Sequence, residues 1–318
     1  MLLELNRLSI GIIRDQKTLS AVDELSFSVE RGEIAGMVGE SGCGKSLSCL
    51  SIPGLLPSAA KVTGGSISFE GRSLLNRSKQ ELRLIRGKEI ALVFQEPRLS
   101  LNPLIPVGKQ IAETLELHRQ GDKRAVRLQT LEIMERLGLP EPERLVKAYP
   151  HQLSGGMCQR VMIALAVICR PKLLIADEPA TALDPGAQDQ ITGLLRQINR
   201  DLGTAVLFVS HDLDLVRRLC SRVFVMYAGK LLEEGPVEEV FTRPLHPYTR
   251  LLIGAIPRRE LKGRPLANIP GKAPSVEDEK RGCPFAPRCA EARDACRAAF
   301  PARRTIDGAH HVHCLLDA

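Results

Sequence analysis

Short apolar runs and alternating positions predict strands in several parts of the chain. Residues 25–29 and 67–69 alternate between hydrophobic and polar side chains, which is typical of half-buried strands. Continuous apolar runs predict fully buried strands at 33–38, 90–94, 173–176 and 205–209. Because a helical stretch separates the last two runs, their order is strand, helix, strand, and the sequence predicts a parallel sheet.

The pattern changes to helical spacing between residues 103 and 137. Apolar residues recur there every four positions and later every three, at Val107, Ile111 and Leu115 and then at Leu128, Leu131, Met134 and Leu137. Residues 223–227 and 231–232 predict a final hairpin. Beyond residue 242 prolines are frequent and the periodicity is weak.

The composition is that of a folded protein, since 44% of the 318 residues are hydrophobic and 25% are charged. Aromatic residues make up only 3%, which argues against a surface that stacks single-stranded nucleic acid. No apolar run approaches the ~18 residues that a membrane span needs. Glu4 and Arg7 interrupt the apolar N-terminus, unlike a signal peptide. We therefore expect a cytoplasmic chain whose nine cysteines are thiols or metal ligands.

The net charge is concentrated in the last quarter of the chain. The whole chain carries +7, from 44 Lys and Arg against 37 Asp and Glu. Residues 243–318 contain 14 basic and 8 acidic residues, which is +6 of that total. The same segment contains Cys283, Cys289, Cys296 and Cys314. The sequence thus predicts two parts, residues 1–242 and a C-terminal extension over residues 243–318.

A phosphate-binding loop follows the apolar run at 33–38. It fits the pattern G-x-x-x-x-G-K-[ST] with the residues Gly39, Glu40, Ser41, Gly42, Cys43, Gly44, Lys45 and Ser46. Glycines let the backbone N–H groups of such a loop surround phosphates. Lys45 is predicted to contact the β- and γ-phosphates of a nucleotide, and the Ser46 hydroxyl is predicted to bind Mg²⁺.

Two carboxylates follow the apolar strand at 173–176. These are Asp177 and Glu178, and ligands of parallel sheets lie at the carboxyl ends of the strands. Asp177 is predicted to hold Mg²⁺ through its waters, and Glu178 to orient or polarise the attacking water. Many buried strands end in an acidic residue, so these carboxylates indicate a nucleotide site only in combination with the phosphate loop.

Residues 153–160 read LSGGMCQR and precede an apolar helix. With the two preceding motifs, this stretch resembles the signature of the nucleotide-binding subunits of ATP-binding cassette (ABC) transporters over residues 1–242. The resemblance implies an α/β P-loop NTPase fold: a RecA-like core with a mixed sheet, an antiparallel β-subdomain and a helical subdomain at about 98–165. The cysteine-containing extension would follow this cassette.

The resemblance also implies roles for residues elsewhere in the chain. Gln95 matches the glutamine that contacts Mg²⁺ and reports the γ-phosphate, His211 matches the switch histidine, and Ala182-Leu183-Asp184 matches the D-loop. Two subunits of this family pack head to tail, so Ser154, Gly155 and Gly156 would complete the phosphate loop of a partner. The predicted catalytic residues are Lys45, Gln95, Glu178 and His211.

Two positions depart from the family pattern. Ile12 lies where members usually carry an aromatic residue that stacks on adenine, so an apolar contact would replace stacking. Cys158 lies beside the signature glycines, where related sequences have a basic or polar residue. Modification of this thiol is expected to hinder closure of the two subunits.

The C-terminal extension resembles the oligopeptide/dipeptide branch of ABC importers. The similarity rests on His246-Pro247-Tyr248-Thr249-Arg250 and on the cysteine spacing C-x5-C-x6-C-x17-C. It implies a [4Fe–4S] cluster on Cys283, Cys289, Cys296 and Cys314. Zinc is the alternative, with His310, His311 and His313 as spare ligands, and four unrelated thiols are the third interpretation. A metal would staple a segment that has little apolar periodicity.

The resemblance implies an ATPase that energises peptide import, bound peripherally to the cytoplasmic face of the inner membrane. Its expected partners are a second, paralogous ABC ATPase subunit, two transmembrane permease subunits and an extracytoplasmic substrate-binding protein, without nucleic acid. The alternatives are nickel or glutathione uptake, a soluble cassette ATPase acting on DNA or ribosomes, and a module in which a metal cluster acts as sensor.

Overall fold

The computed structural model describes residues 1–118, 121–181, 183–256, 268–278 and 281–316. Its strands are β1 Leu3–Arg14, β2 Lys17–Val29, β3 Ile34–Val38, β4 Ala60–Phe69, β5 Arg72–Ser73, β6 Ile90–Val93, β7 Leu173–Asp177, β8 Ala205–Val209, β9 Arg222–Tyr227, β10 Lys230–Pro236, β11 Arg304–Asp307 and β12 His310–Val312. Its helices are α1 Lys45–Ser51, α2 Lys79–Ile85, α3 Pro97–Ser100, α4 Val107–Leu117, α5 Lys123–Arg136, α6 Pro142–Leu145, α7 Gly155–Val167, α8 Pro185–Leu202, α9 Leu213–Leu219, α10 Val237–Thr242, α11 Pro247–Gly254 and α12 Asp294–Ala298.

These elements belong to two compact units. Unit 1 comprises Met1–Val29, Ile34–Leu75 and Val209–Ala318, and unit 2 comprises Glu30–Glu33 and Asn76–Phe208. Unit 1 therefore contains both the first strands of the chain and the C-terminal extension. The division predicted after residue 242 stays a prediction.

Unit 1 contains two sheets. The first is antiparallel, with the strand order β2-β1-β4-β5. The second has the order β11-β12-β10-β9-β3, in which β3 and β9 are parallel and the other neighbours are antiparallel. Phe27 of β2 packs against Phe224 of β9 with ring centroids 4.8 Å apart, so the two sheets share a core.

Unit 2 places helices around a small group of buried strands. The order is β8-β7-β6, and β6 and β7 are parallel. Every residue of β7 and β8 is buried, as their apolar runs predict. Helix α7 is buried along most of its length and packs against α3, α4 and α5. Parallel pairs in both units confirm the predicted mixed sheet.

The helical character predicted between residues 103 and 137 is confirmed, because α4 and α5 occupy most of this stretch. Val107, Ile111 and Leu115 are all fully buried in α4. In α5, however, the buried face is formed by Val126, Thr130 and Met134, and Leu128 is 59% exposed. These buried residues recur every four positions, which agrees with the 3.6 residues in one turn of an α-helix.

Several elements were not predicted from the pattern. They include β1 and the two short strands β11 and β12 of the extension. Strand β12 pairs with β10 through Glu233 and Glu234, so the extension continues the second sheet of unit 1. Among the residues that the structure describes, no helix has the length and apolar character that crossing a membrane requires.

Glu233 is a buried carboxylate that joins three segments of unit 1. It lies in β10 and is fully buried. Its oxygens accept hydrogen bonds from the backbone N–H groups of Leu245 at 2.8 Å and His246 at 2.9 Å. The Nε2 atom of His310, in β12, lies 2.8 Å from the same carboxylate. The donors compensate the desolvation of the charge and fasten the extension to β10.

Replacing Glu233 by alanine is expected to destabilise unit 1. The change leaves the donors of Leu245, His246 and His310 buried without their acceptor, which costs about 2–4 kcal/mol. The midpoint of thermal unfolding should fall by about 5 °C or more. Glu238→Ala is the matched control, because Glu238 is 71% exposed and pairs with Arg217 at the surface. Equal stability of the two variants would contradict this role of Glu233.

Candidate functional site

The predicted phosphate loop connects β3 to α1, and two of its glycines are required by close packing. Gly39 has φ +151°, and a Cβ atom there would lie 2.1 Å from the carbonyl oxygen of Met226. Gly44 has φ +103°, and its Cβ would lie 2.9 Å from Cγ2 of Val22. Both conformations disfavour residues with a side chain. The loop therefore packs closely against the backbone of β9 and against the Val22 side chain of β2.

Lys45 points its ammonium into the loop. The side chain is buried, and Nζ donates to the carbonyl oxygens of Gly39 at 2.7 Å and Glu40 at 3.1 Å. The Sγ atom of Cys43 lies 3.7 Å from the same Nζ. Burial raises the pKa of the Cys43 thiol, which the charge of Lys45 partly opposes. Ser46 is exposed at the start of α1. The loop thus has a buried cation and an accessible hydroxyl.

Two further residues of the chain hold the second residue of this loop. Arg288 Nη1 donates to Glu40 Oε2 at 2.8 Å. The backbone N–H of Glu40 donates to the hydroxyl of Tyr248 at 2.9 Å. Both partners belong to the C-terminal extension, and sequence reasoning missed both contacts. No sequence signal pointed to them, because 248 positions separate Arg288 from Glu40.

Unit 2 brings Gln95 and Glu178 together. Gln95 follows β6, Glu178 follows β7, and the parallel pairing of these strands places both carboxyl ends at one edge. Oε2 of Glu178 accepts hydrogen bonds from Gln95 Nε2 at 2.9 Å and from the Thr181 hydroxyl at 3.0 Å. Asp177 is buried at the end of β7. The role of Thr181 was not predicted from the sequence. Its position three residues after Glu178 is the feature that could have indicated this hydrogen bond.

Glu178 has an unusual backbone conformation. Its φ is +49°, in the left-handed region that residues other than glycine, asparagine and aspartate seldom adopt. Such a conformation costs of the order of 1–3 kcal/mol and persists where surrounding contacts hold it. The two side-chain hydrogen bonds from Gln95 and Thr181 are contacts of this kind. Nine other described residues that are not glycine also have a positive φ, Glu24, Glu70 and Glu141 among them, so the hydrogen bonds of Glu178 rather than its φ support its predicted role.

The signature residues form the start of α7. Ser154 caps the helix, since its Oγ accepts from the backbone N–H of Met157 at 3.3 Å. A Cβ atom added to Gly155 or Gly156 would meet nothing within 4 Å. Among the residues that the structure describes, neither packing against a neighbour nor a positive φ therefore accounts for these two glycines.

Cys158 is buried in α7. Its Sγ donates to the carbonyl of Pro150 at 3.5 Å, and burial raises the pKa of the thiol. A protonated, inaccessible thiol is a poor target for modification, so the expected hindrance by modification of Cys158 has no support in this position.

The remaining predicted residues lie in different places. Asp184 caps α8 by accepting from the backbone N–H of Ala187 at 3.0 Å, whereas Ala182 of the same motif lies outside the described residues. His211 follows β8 and is exposed. Ile12 lies on β1 between Leu19 of β2 and Ala60 of β4.

The predicted residues are thus divided between the two units. Unit 1 contains Ile12, the phosphate loop, His211 and the four cysteines of the extension. Unit 2 contains Gln95, the signature, Asp177, Glu178 and Asp184.

The four cysteines of the extension surround one cavity but do not form a metal site. Cys283, Cys289, Cys296 and Cys314 line a cavity of about 20 Å³ together with His246 and His313. Burial raises the pKa of Cys283 to about 11, and it raises the pKa of Cys289 and Cys314 as well. In the described part of the chain, no group of three or more His, Cys, Asp or Glu side chains is arranged to hold a metal ion. As arranged, these thiols do not fit the predicted [4Fe–4S] cluster.

His246 is a neutral side chain beside this cavity. Burial lowers its pKa to about 3. Its Nδ1 accepts a hydrogen bond from the backbone N–H of Tyr248 at 3.0 Å, which caps α11. Its Nε2 lies 3.8 Å from Sγ of Cys283. The ring therefore connects the start of α11 with the cysteine segment.

Two family models match the chain. The model described as "ABC transporter" matches residues 22–181, and the model "Oligopeptide/dipeptide transporter, C-terminal region" matches residues 232–296. These matches include the phosphate loop, the signature and three of the four cysteines.

Curated relatives match nearly the whole chain. The oligopeptide transport ATP-binding protein OppD of Salmonella typhimurium is 43% identical over 95% of this chain and 90% of its own length. The dipeptide transport ATP-binding protein DppD of Bacillus subtilis is 44% identical over 94% of this chain and 90% of its own. The solved dimeric structure of the ATP-binding cassette MJ0796 with ADP and Pi has a TM-score of 0.67 and 28% identity, over 74% of this chain and 99% of that one. These likenesses confirm the predicted cassette fold.

Gly39→Ala is expected to weaken ATP binding by about tenfold or more. The added Cβ would collide with the carbonyl of Met226, so the loop must move away from β9. Equilibrium binding of Mg·ATP to the full chain measures the effect. Gly193→Ala is the control, because its Cβ would lie in open space within helix α8. Unchanged affinity in Gly39→Ala would show that the loop does not need this packing.

Proposed function

Because the chain belongs to the ABC transporter family of ATP-binding subunits, we propose that it hydrolyses ATP to energise the import of peptides across the cytoplasmic membrane. The observation that carries this proposal is the phosphate loop with its buried Lys45, in a chain that matches peptide-transport ATP-binding proteins over almost its whole length. Peptides are preferred to nickel or glutathione as cargo because the matching relatives and the C-terminal family model are described by peptides.

Unit 1 is proposed to bind the phosphates of ATP. The N–H groups of the loop surround the β- and γ-phosphates, and Lys45 supplies the positive charge. The position of Nζ within the loop, against the carbonyls of Gly39 and Glu40, supports this proposal. Ile12 on β1 is proposed to contact the adenine.

The oxygen atoms of Ser46, Gln95 and Asp177 suit Mg²⁺, which prefers hard oxygen ligands. We propose that these three residues hold the ion. When bound, Mg²⁺ neutralises the charge that develops on the phosphate oxygens. The exposed hydroxyl of Ser46 supports this assignment.

Glu178 is proposed to orient the attacking water. The hydrogen bonds from Gln95 and Thr181 fix one oxygen of its carboxylate, and the strained backbone is held with it. A carboxylate fixed in this way accepts a proton from water without reorganising in the transition state. His211 is proposed to contact the γ-phosphate, and Gln95 to report its presence to the helices that follow β6.

Closure of two cassettes is proposed to complete each site. Gly155 and Gly156 have open space where a side chain would lie, so a phosphate or a partner chain can approach the backbone closely. Ser154, already the cap of α7, and Asp184, the cap of α8, are proposed to contribute to this contact. The partner is proposed to be a paralogous ATPase subunit.

The remaining partners are two permease subunits in the membrane and an extracytoplasmic binding protein. An importer of this family requires both, and the ATP-binding subunit is then held peripherally at the cytoplasmic face. The helices between β6 and β7 are proposed to contact the permeases.

We keep the [4Fe–4S] cluster, with zinc as its alternative, as a separate proposal. Its support is the convergence of four cysteines on one cavity. Against it stands the arrangement of these side chains, which is not that of a metal site. No step of ATP hydrolysis is derived through this group.

Glu178→Gln is expected to abolish ATP turnover while ATP remains bound. An amide cannot take the proton of the attacking water, so the rate should fall by about 100-fold or more. ATP hydrolysis and peptide uptake should be measured after reconstitution with the permease subunits and the binding protein. Wild-type complexes should couple the two, and the variant should retain ATP without uptake.

Glu89→Gln is the matched control for this experiment. It makes the same chemical change near the start of β7, where Glu89 pairs with Lys172 at 3.1 Å. This control should hydrolyse ATP at the wild-type rate. Normal turnover of Glu178→Gln would refute the assignment of Glu178, and a wild-type complex without peptide uptake would refute the proposed cargo.

Anaerobic purification with iron, sulfide and zinc analysis tests the cysteine proposal. A cluster predicts about four iron atoms for each chain and visible absorption that is lost in Cys289→Ser. Zinc predicts one colourless ion. Cys169→Ser, a buried cysteine outside the extension, should leave the metal content unchanged. A metal-free wild-type chain would reject both forms of the proposal.

A further inference from the structure

The phosphate loop is held at its second residue from three directions. The carbonyl of Glu40 accepts from Lys45 Nζ, its N–H donates to the Tyr248 hydroxyl, and its carboxylate pairs with Arg288. Lys45 belongs to the loop itself, but Tyr248 and Arg288 belong to the C-terminal extension. The extension therefore touches the loop through one residue, at both its backbone and its side chain.

Arg288 is built into this position. Its side chain is only 7% exposed. Besides Glu40, Nη1 donates to the Tyr227 hydroxyl at 2.9 Å, Nε donates to the carbonyl of Pro270 at 2.6 Å, and Nη2 donates to the carbonyl of Ile269 at 3.1 Å. A guanidinium with this many fixed partners has a single orientation. The contact with Glu40 thus differs from a mobile surface ion pair.

Tyr248 is equally fixed. It is fully buried in α11, and its ring packs against Tyr227 at 4.6 Å and Phe285 at 5.3 Å between centroids. Phe285 lies in the segment between Cys283 and Cys289 that also contains Arg288. The aromatic cluster therefore places the hydroxyl of Tyr248 and the guanidinium of Arg288 together beside the loop.

The charge of Glu40 explains why such a support is needed. A carboxylate in a loop that binds phosphates repels the ligand, and the repulsion is stronger where burial lowers the local dielectric constant. Arg288 neutralises this carboxylate by a charge-assisted hydrogen bond of 2.8 Å. Without Arg288 the carboxylate would compete with the phosphates for Lys45.

We propose that Arg288 and Tyr248 are positioning residues through which the C-terminal extension sets the affinity of the phosphate loop for ATP. This inference rests on the proposed function, because it takes ATP as the ligand of the loop. Arg288 cancels the charge of Glu40, and Tyr248 fixes its backbone N–H. The extension is then a part of the nucleotide site rather than an appendage of it.

Equilibrium binding of Mg·ATP to the full chain tests the role of Arg288. Arg288→Gln should raise the Kd about tenfold, and Arg288→Lys should recover part of the loss. In the assembled transporter Arg288→Gln should raise KM for ATP and leave kcat nearly unchanged. Arg250→Gln is the control, because Arg250 pairs with the half-exposed Glu291 of the same extension and does not touch the loop.

The double variant Glu40→Gln/Arg288→Gln separates charge compensation from simple structural support. Removing the uncompensated carboxylate should restore the Kd to within about threefold of the wild type. Additive losses would overturn the proposal, since a purely structural Arg288 would not be rescued by a change at Glu40. An unchanged Kd in Arg288→Gln, with ATP binding by the wild type intact, would overturn it as well.

Tyr248→Phe provides a second test if Arg288→Gln does not fold. Phenylalanine keeps the ring packing but removes the acceptor for the N–H of Glu40, and the Kd for ATP should rise by about threefold to tenfold. Wild-type affinity in this variant would contradict the role of Tyr248. Failure of the wild-type chain itself to bind ATP would contradict the proposed function, and this inference with it.

Discussion

The phosphate loop lies so close to the backbone of β9 that its shape depends on the hairpin β9–β10. Gly39 leaves no room for a Cβ beside Met226, and the N–H of Gly229 donates to the carbonyl of Cys43 at 2.9 Å. The loop is therefore not an independent motif placed between a strand and a helix. Its conformation depends on contacts with strands that come almost two hundred residues later in the chain. Residues that hold those strands in place therefore also hold the loop.

The carboxylates of Glu233 and Glu40 show how the extension holds the β9–β10 hairpin and the phosphate loop. Glu233 in β10 binds the N–H groups that lead into α11 and the imidazole of β12, so the edge of the hairpin is covered by the extension. Glu40 in the loop is paired with Arg288 from the same extension. Each carboxylate would be costly without its donors, and each obtains them from residues beyond 242. Electrostatic compensation thus joins the extension to β10 and to the phosphate loop, beside the aromatic packing of Tyr227, Tyr248 and Phe285.

The glycines of the phosphate loop and those of the signature at the start of α7 differ in their surroundings. At Gly39 and Gly44 packing and positive φ explain the glycines, whereas at Gly155 and Gly156 no described residue lies close enough to do so. Glu178 adopts a positive φ although it is not a glycine, and Gln95 and Thr181 hold its side chain. The first pair serves the fold of one chain. Gly155 and Gly156 share their open space with other glycines such as Gly193, so the surroundings of these two residues leave room for a ligand without requiring one.

The sequence predicted strands and motifs that depend on neighbouring residues. It did not predict contacts between residues that are far apart in the chain. The buried strands β7 and β8, the loop from Gly39 to Ser46 and the carboxylate at Glu178 follow from short runs of residues. The spacing of Leu128, Leu131 and Met134 predicted a helix correctly, but which of these side chains is buried depends on packing, and only Met134 is fully buried. The pairs that support the loop could not be predicted, because Arg288 reaches Glu40 only once the extension has folded against the strands of unit 1. The motif predicts which residues of the loop bind phosphates, whereas the residues that support the loop are known only from the structure.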